Sequence, residues 1–130
     1  MNRNAFLYPH KCYALRLEQS EPDSKGDYSD PVDVWELIGE CRAETNGSGR
    51  EIATADGIQT VFSNIVYFPP ESPVIGIGTQ IVVLSERIGN TEYLSDAQML
   101  QIMRQTGQLK ASGSCLVFDK TRLHSRMWVK

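Results

Sequence analysis

Apolar and polar residues alternate along much of the chain, the period of two that strands require. From Cys12 to Glu18, Tyr13, Leu15 and Leu17 oppose Cys12, Ala14, Arg16 and Glu18, which predicts a half-buried strand. A longer strand, Trp35 to Thr45, sets Trp35, Leu37, Cys41 and Ala43 on one face. Glu36, Glu40, Arg42 and Glu44 occupy the other, with Ile38 as the exception. That is the signature of an antiparallel sheet with one wet side. Thr60 to Phe68 is apolar on both faces, Val61, Ile65 and Tyr67 against Phe62, Val66 and Phe68. Such a strand is buried on both sides, or lies under a loop or a neighbouring subunit. Pro69, Pro70 and Pro73 end it, because proline cannot donate to the ladder. Gly76 and Gly78 permit a turn into a strand over 79–88.

One segment changes period. Leu94 to Gly107 carries Met99, Leu100, Ile102 and Met103 at helical spacing. Ser95 fits the N-cap, Gln98 completes a capping box, and Leu94 with Met99 makes a hydrophobic staple. Gly107 suits the left-handed position after the helix. Beyond it the pattern predicts a hairpin, Leu109–Phe118 against Thr121–Val129 across Asp119-Lys120. In its last strand Leu123, Met127 and Val129 face one way, and Arg122, His124, Arg126 and Trp128 the other.

The intervals between these elements are polar. Ser20 to Pro31 holds Ser, Glu, Pro, Asp, Lys, Gly and Tyr and reads as a loop over 20–31. Asn46-Gly47 suits a type I′ turn, but Ser48-Gly49 follows at once. The segment 44–59 is therefore expected to be a long flexible loop, with a short ordered piece at 50–55. The expected fold is mainly β: a small antiparallel β-barrel or sandwich with long loops and one short α-helix at about 95–106. The chain has the length of a single domain, 1–130, with a C-terminal helix plus hairpin at 94–130.

Composition adds limits. At 41% hydrophobic and 22% charged residues, the chain matches ordinary globular domains. No apolar run approaches the roughly 18 residues of a membrane span. The first ten residues do not fit a signal peptide, so the protein is expected to stay in the cytosol where it is made. Cys12, Cys41 and Cys115 are odd in number and widely spaced, which suits small core residues and not a disulfide framework.

Net charge is −3, unevenly placed. Residues 18–44 hold nine acids against Lys25 and Arg42, and residues 104–130 hold six bases against Asp119. This pattern describes either two solvated faces or a pair of surfaces on which one subunit's acidic front meets the next one's basic tail.

Catalytic chemistry is hard to assemble from these residues. His10 stands in a Pro-His-Lys segment and His124 among arginines, with no orienting partner in view for either. No clustered Cys/His spacing suggests zinc, and no G-x-S-x-G elbow is present. Gly76 and Gly78 lack the third glycine of a dinucleotide loop. No catalytic, metal or cofactor site is expected, and the protein is not expected to be an enzyme. Arg122, His124, Arg126, Trp128 and Lys130 share one strand face, as cations beside an aromatic do in single-strand binders. The acidic net charge weighs against autonomous nucleic-acid binding.

Three segments in order then carry a resemblance: Trp35–Arg42 (W-E-L-I-G-E-C-R), Ile65–Pro70 (I-V-Y-F-P-P) and Gly78–Val83 (G-T-Q-I-V-V). With the N-terminal strand and the loops between them, residues 8–90 resemble the small β-barrel head-closure proteins of tailed bacteriophages, also called stoppers or head–tail connectors. The resemblance implies a virion structural protein of the phage neck, assembled in the host bacterial cytoplasm. It implies a homo-oligomeric ring of six or twelve between the portal or adaptor protein and the tail completion protein. DNA would pass through its channel without sequence-specific binding, and no membrane would be involved. The loop between the first two motifs would face the ring axis, which makes Asn46, Gly47, Gly49, Arg50, Glu51, Asp56 and Gly57 candidate channel residues. Arg122, His124, Arg126, Trp128, Glu36 and Glu40 are candidates for the subunit or partner interface. The alternatives are a tail-tube or tail-terminator component on a related barrel, and an OB- or SH3-like module binding nucleic acid or protein.

Overall fold

The computed structural model describes residues 7–18, 24–26, 32–85, 92–105 and 107–130. Most of the expected 20–31 loop, and the end of the strand expected over 79–88, lie outside these residues. Nine strands and one helix are described: β1 (His10–Glu18), β2 (Val32–Thr45), β3 (Glu51–Ala53), β4 (Gln59–Val61), β5 (Asn64–Phe68), β6 (Gln80–Leu84), β7 (Tyr93–Ser95), α1 (Asp96–Met103), β8 (Leu109–Lys120) and β9 (Ser125–Val129).

Six of the strands close into an antiparallel barrel in the order β1-β6-β8-β9-β5-β2, with β2 pairing back onto β1. Closure leaves those strands no open edge. β7 adds outside the ring, beside β2 at Val34–Glu36. The two longest strands turn the corners. β2 pairs with β1 up to Cys41 and with β5 from Arg42 onward. β8 pairs with β6 up to Ser114 and with β9 from Cys115 onward.

A bulge changes which way β2 faces. Cys12 opposes Gly39 while Tyr13 opposes Leu37, so Ile38 is an extra residue. The alternation seen in sequence therefore reverses across Ile38. Trp35 and Leu37 pack on the outside of the barrel, whereas Ile38, Cys41 and Ala43 pack inside it. The single apolar face expected from Trp35 to Ala43 is two faces joined by a bulge.

Packing follows from this geometry. The barrel interior holds Cys12, Val66, Phe68, Ile81, Val83, Met127 and Val129 among others. One outer face, with Tyr13, Trp35, Val82 and Leu84, is covered by Leu94, Met99 and Ile102 from β7 and α1. A second outer face, with Ile65 and Trp128, is covered by Phe62 and Ile52 from the β3–β4 region. β1 is thus buried on both sides over Cys12–Ala14, where the sequence suggested a half-buried strand. β5 is buried on both sides because the chain's own hairpin lies over it.

The helix is shorter than expected, Asp96–Met103, but starts where predicted. Ser95 Oγ accepts from Gln98 N and Gln98 Oε1 accepts from Ser95 N, which is the full capping box. Trp35 Nε1 donates to Asp96 Oδ1 at 3.0 Å and ties the first helical turn to β2. Of the expected stripe, Met99 and Ile102 are buried and Leu100 is largely exposed. In the C-terminal hairpin β9 starts only at Ser125, and Thr121–His124 form the turn.

Candidate functional site

The segment expected to be a flexible channel loop, 44–59, is mostly an ordered hairpin. β3 and β4 pair in register, Glu51 with Val61 and Ala53 with Gln59. Asn46 clamps its base: Nδ2 donates to Arg50 O at 2.9 Å and to Phe62 O at 2.8 Å, and Oδ1 accepts from Arg50 N at 3.1 Å. Asn46 N also donates to Ser63 O. Phe62 is then buried against Ile65 and Trp128. Gly47 and Gly49, exposed, lie in the approach to β3, and Gly57 in the β3–β4 turn. At that turn Asp56 Oδ1 accepts from Thr54 Oγ1 and from Ile58 N. These bonds hold the Asp56 carboxyl below the usual carboxylate range. Arg50 crosses the Phe62 ring at 5.8 Å. Glu51 is exposed on β3.

The expected basic face is assembled differently from a stacking platform. Across β2, β5, β9 and β8 runs a row of register partners: Arg42, Tyr67, Arg126 and Asp119. Arg42 lies over the Tyr67 ring at 5.2 Å and Arg126 over the Trp128 ring at 5.0 Å. His124 meets Tyr67 edge-on at 5.6 Å. Arg126 forms an ion pair with Asp119. Arg42 Nε lies 3.4 Å from Glu44 Oε1, an ion pair without hydrogen-bond geometry. Trp128 is only 8% exposed beneath the hairpin, so a base cannot stack on it without displacing Phe62. Arg122 does not share this face; it lies exposed in the turn before β9. Lys130 is exposed and follows β9.

The acidic strand is answered within its own chain. Arg16 Nη1 is 3.1 Å from Glu36 Oε2, and Lys11 Nζ is 3.8 Å from Glu40 Oε1. Both pairs bridge β1 and β2 at the barrel surface, half-buried, and surface pairs contribute about 0–1 kcal/mol each. Glu36, Glu40 and Arg126 thus each have an intramolecular counter-ion. Of the two arginines expected at the interface, Arg126 has an ion pair and Arg122 has none among the described residues.

Two residues have roles that sequence spacing does not show. His10 Nδ1 accepts from Ala43 N at 3.1 Å. It replaces the strand partner that β2 loses where β1 begins, since Cys41 is the last β2 residue paired to β1. Partial burial and the nearby Lys110 and Lys11 lower its pKa, which keeps Nδ1 free to accept. Tyr67 is the centre of the charged row, but its neighbours come from three other strands. Only the register brings them together, so no local signal could have found it.

The three cysteines are buried thiols in the barrel interior. Burial pushes Cys115 up to about 11 and Cys41 well above its usual range, leaving neither as an activated thiolate. Among the described residues no group of three His, Cys, Asp or Glu side chains could hold a metal ion. No described helix is long and apolar enough to cross a membrane.

The most exposed large apolar side chain described is Leu123, at the β8–β9 tip, and Ile58, Val74 and Ile77 are also largely exposed. An open cavity of about 410 Å³ lies between the β3–β4 turn and the start of β6, lined by Ala55, Asp56, Thr60, Ile77 and Leu116 among others. Comparison of the chain with protein-family models, with curated proteins and with solved structures found no match, so any functional reading rests on these residues and their arrangement.

Proposed function

We propose that this protein is a structural ring subunit of a tailed-phage neck, a virion component between the portal or adaptor and the tail that closes the head and retains DNA. One observation carries the reading. The three segments that resemble head-closure proteins form β2, β5 and β6 of a single closed barrel, and a hairpin is inserted between the paired strands β2 and β5. In the resembled family this insertion faces the channel. Here the base of the hairpin is clamped by Asn46 and docked through Phe62, so the part able to reach a channel is the tip, Thr54–Ile58.

Closure of the barrel leaves ring contacts to loops, tips and outer faces. Native mass spectrometry tests the reading. A closed oligomer of six or twelve is the expected result, and a monomer at every concentration counts against it.

The row Arg42, Tyr67 and Arg126 favours a second reading, an OB- or SH3-like binding module. Its mark would be a monomer that binds oligonucleotides with affinity falling steeply as salt rises.

A further inference from the structure

We infer that the β8–β9 tip of one subunit docks as a knob into the cavity beside the β3–β4 turn of a second copy of this chain, Leu123 entering the cavity and Arg122 meeting Asp56. The inference deepens the ring assembly proposed above and rests on it.

The knob is exposed and rigid. Leu123 is 81% exposed. Its turn is fixed by Thr121 N donating to His124 O at 2.9 Å and His124 N donating to Thr121 Oγ1 at 3.2 Å. His124 is held against Tyr67. An apolar side chain on a pre-ordered turn loses little conformational freedom when a partner covers it.

The cavity fits that side chain in size and chemistry. At about 410 Å³ the open cavity has room for a leucine side chain. Ala55, Ile77 and Leu116 supply apolar walls, and Ile77 is 64% exposed at the mouth. Asp56 stands in the lining as an exposed carboxylate whose bonds from Thr54 and Ile58 both fall on Oδ1. Arg122, beside Leu123, supplies a cation and has no ion pair of its own among the described residues.

Knob and cavity cannot meet within one chain. β8 separates them: from Leu116 at the cavity to Lys120 before the tip is about 13 Å at about 3.3 Å per residue. Two different patches that fit each other make a heterologous contact, which closes into a ring when the rotation allows.

Disulfide trapping tests the contact. L123C and isotope-labelled I77C proteins are purified separately, mixed and oxidised with diamide. Both positions are exposed, so the variants fold, and the native cysteines are buried and do not compete. The expected result is a labelled–unlabelled L123C–I77C dimer in large excess over a control pairing L123C with Q101C on the exposed side of α1. A yield no higher than the control overturns the inference. R122E is expected to weaken self-association on the order of tenfold, as loss of a charge pair would; unchanged association also counts against it. Rings of the unmodified chain without the L123C–I77C link would sink this contact and leave the ring reading standing. The link without any closed oligomer would do the reverse.

Discussion

Phe62 is the residue on which the docked hairpin depends, and Phe62→Ala tests that directly. Its ring is 4% exposed, packed on Ile65 and Trp128 and crossed by Arg50. A buried Phe→Ala change costs about 3–5 kcal/mol through lost transfer energy and the cavity it leaves. The hairpin has three register pairs, Asn46 and Ile52 besides Phe62 to hold it. Much of the loss is therefore expected to appear as lifting of 46–61 from the barrel, which uncovers Trp128. Urea unfolding gives the stability change, and acrylamide quenching in a Trp35→Phe background isolates Trp128, since the chain has two tryptophans. The expected outcome is a loss of about 3 kcal/mol with a clear rise in quenching. A loss under about 1 kcal/mol with unchanged quenching would show that Phe62 does not hold the hairpin, and would restore the flexible loop expected from sequence.

Three other predictions concern the scaffold. Gly113 has φ near +147°, and a Cβ there would lie 2.6 Å from the backbone of Lys130, which pairs with Ser114. Gly113→Ala is expected to cost about 3 kcal/mol in urea unfolding, from backbone strain and two weakened hydrogen bonds; a neutral effect would contradict the corner geometry. Ser95→Ala removes half of the capping box and is expected to cost about 1 kcal/mol, read as a lower thermal midpoint. His10 has a folded pKa below its usual 6.5, so the unfolded chain binds its proton first as pH falls. Its contribution is full above about 6.5 and is lost progressively as pH drops from there towards the folded pKa. His10→Asn, which keeps an acceptor for Ala43 N–H, is expected to flatten this part of the stability–pH curve, and an unchanged curve would remove His10 as its cause.

Local signals in the sequence were legible and cross-strand ones were not. The capping box at Ser95 and Gln98 can be read because four consecutive residues define it. The barrel strands were legible in their apolar patterning, except where a bulge broke the count and where the run Thr60–Phe68, expected as one strand, divides at Phe62-Ser63 into β4 and β5, with Phe62 on the side of Ile65 and not of Val66 and Phe68. Trp35 and Cys41 are an even number of positions apart, yet Ile38 puts them on opposite sides of the sheet. The hairpin was hidden because β3 and β4 have three residues each, too few to establish a period, amid glycines that suggest freedom. What orders it is Asn46 and Phe62, whose partners become visible only in three dimensions. The basic face was read correctly for Arg126 and Trp128, which do share the outer side of β9. It failed as a platform because Trp128 lies under a segment far from it in sequence. Arg122 and Leu123 fell out of the strand because β9 begins after them, which leaves both exposed at a turn.

The glycine-rich insertion is thus a docked hairpin, on a barrel whose acidic strand β2 finds counter-ions on β1 of the same chain. Electron microscopy of the purified protein tests the central claim most directly. Closed rings with a central channel and the β3–β4 tips directed towards it are the expected result. A monomer that binds single-stranded oligonucleotides, with affinity collapsing as salt rises, would contradict it.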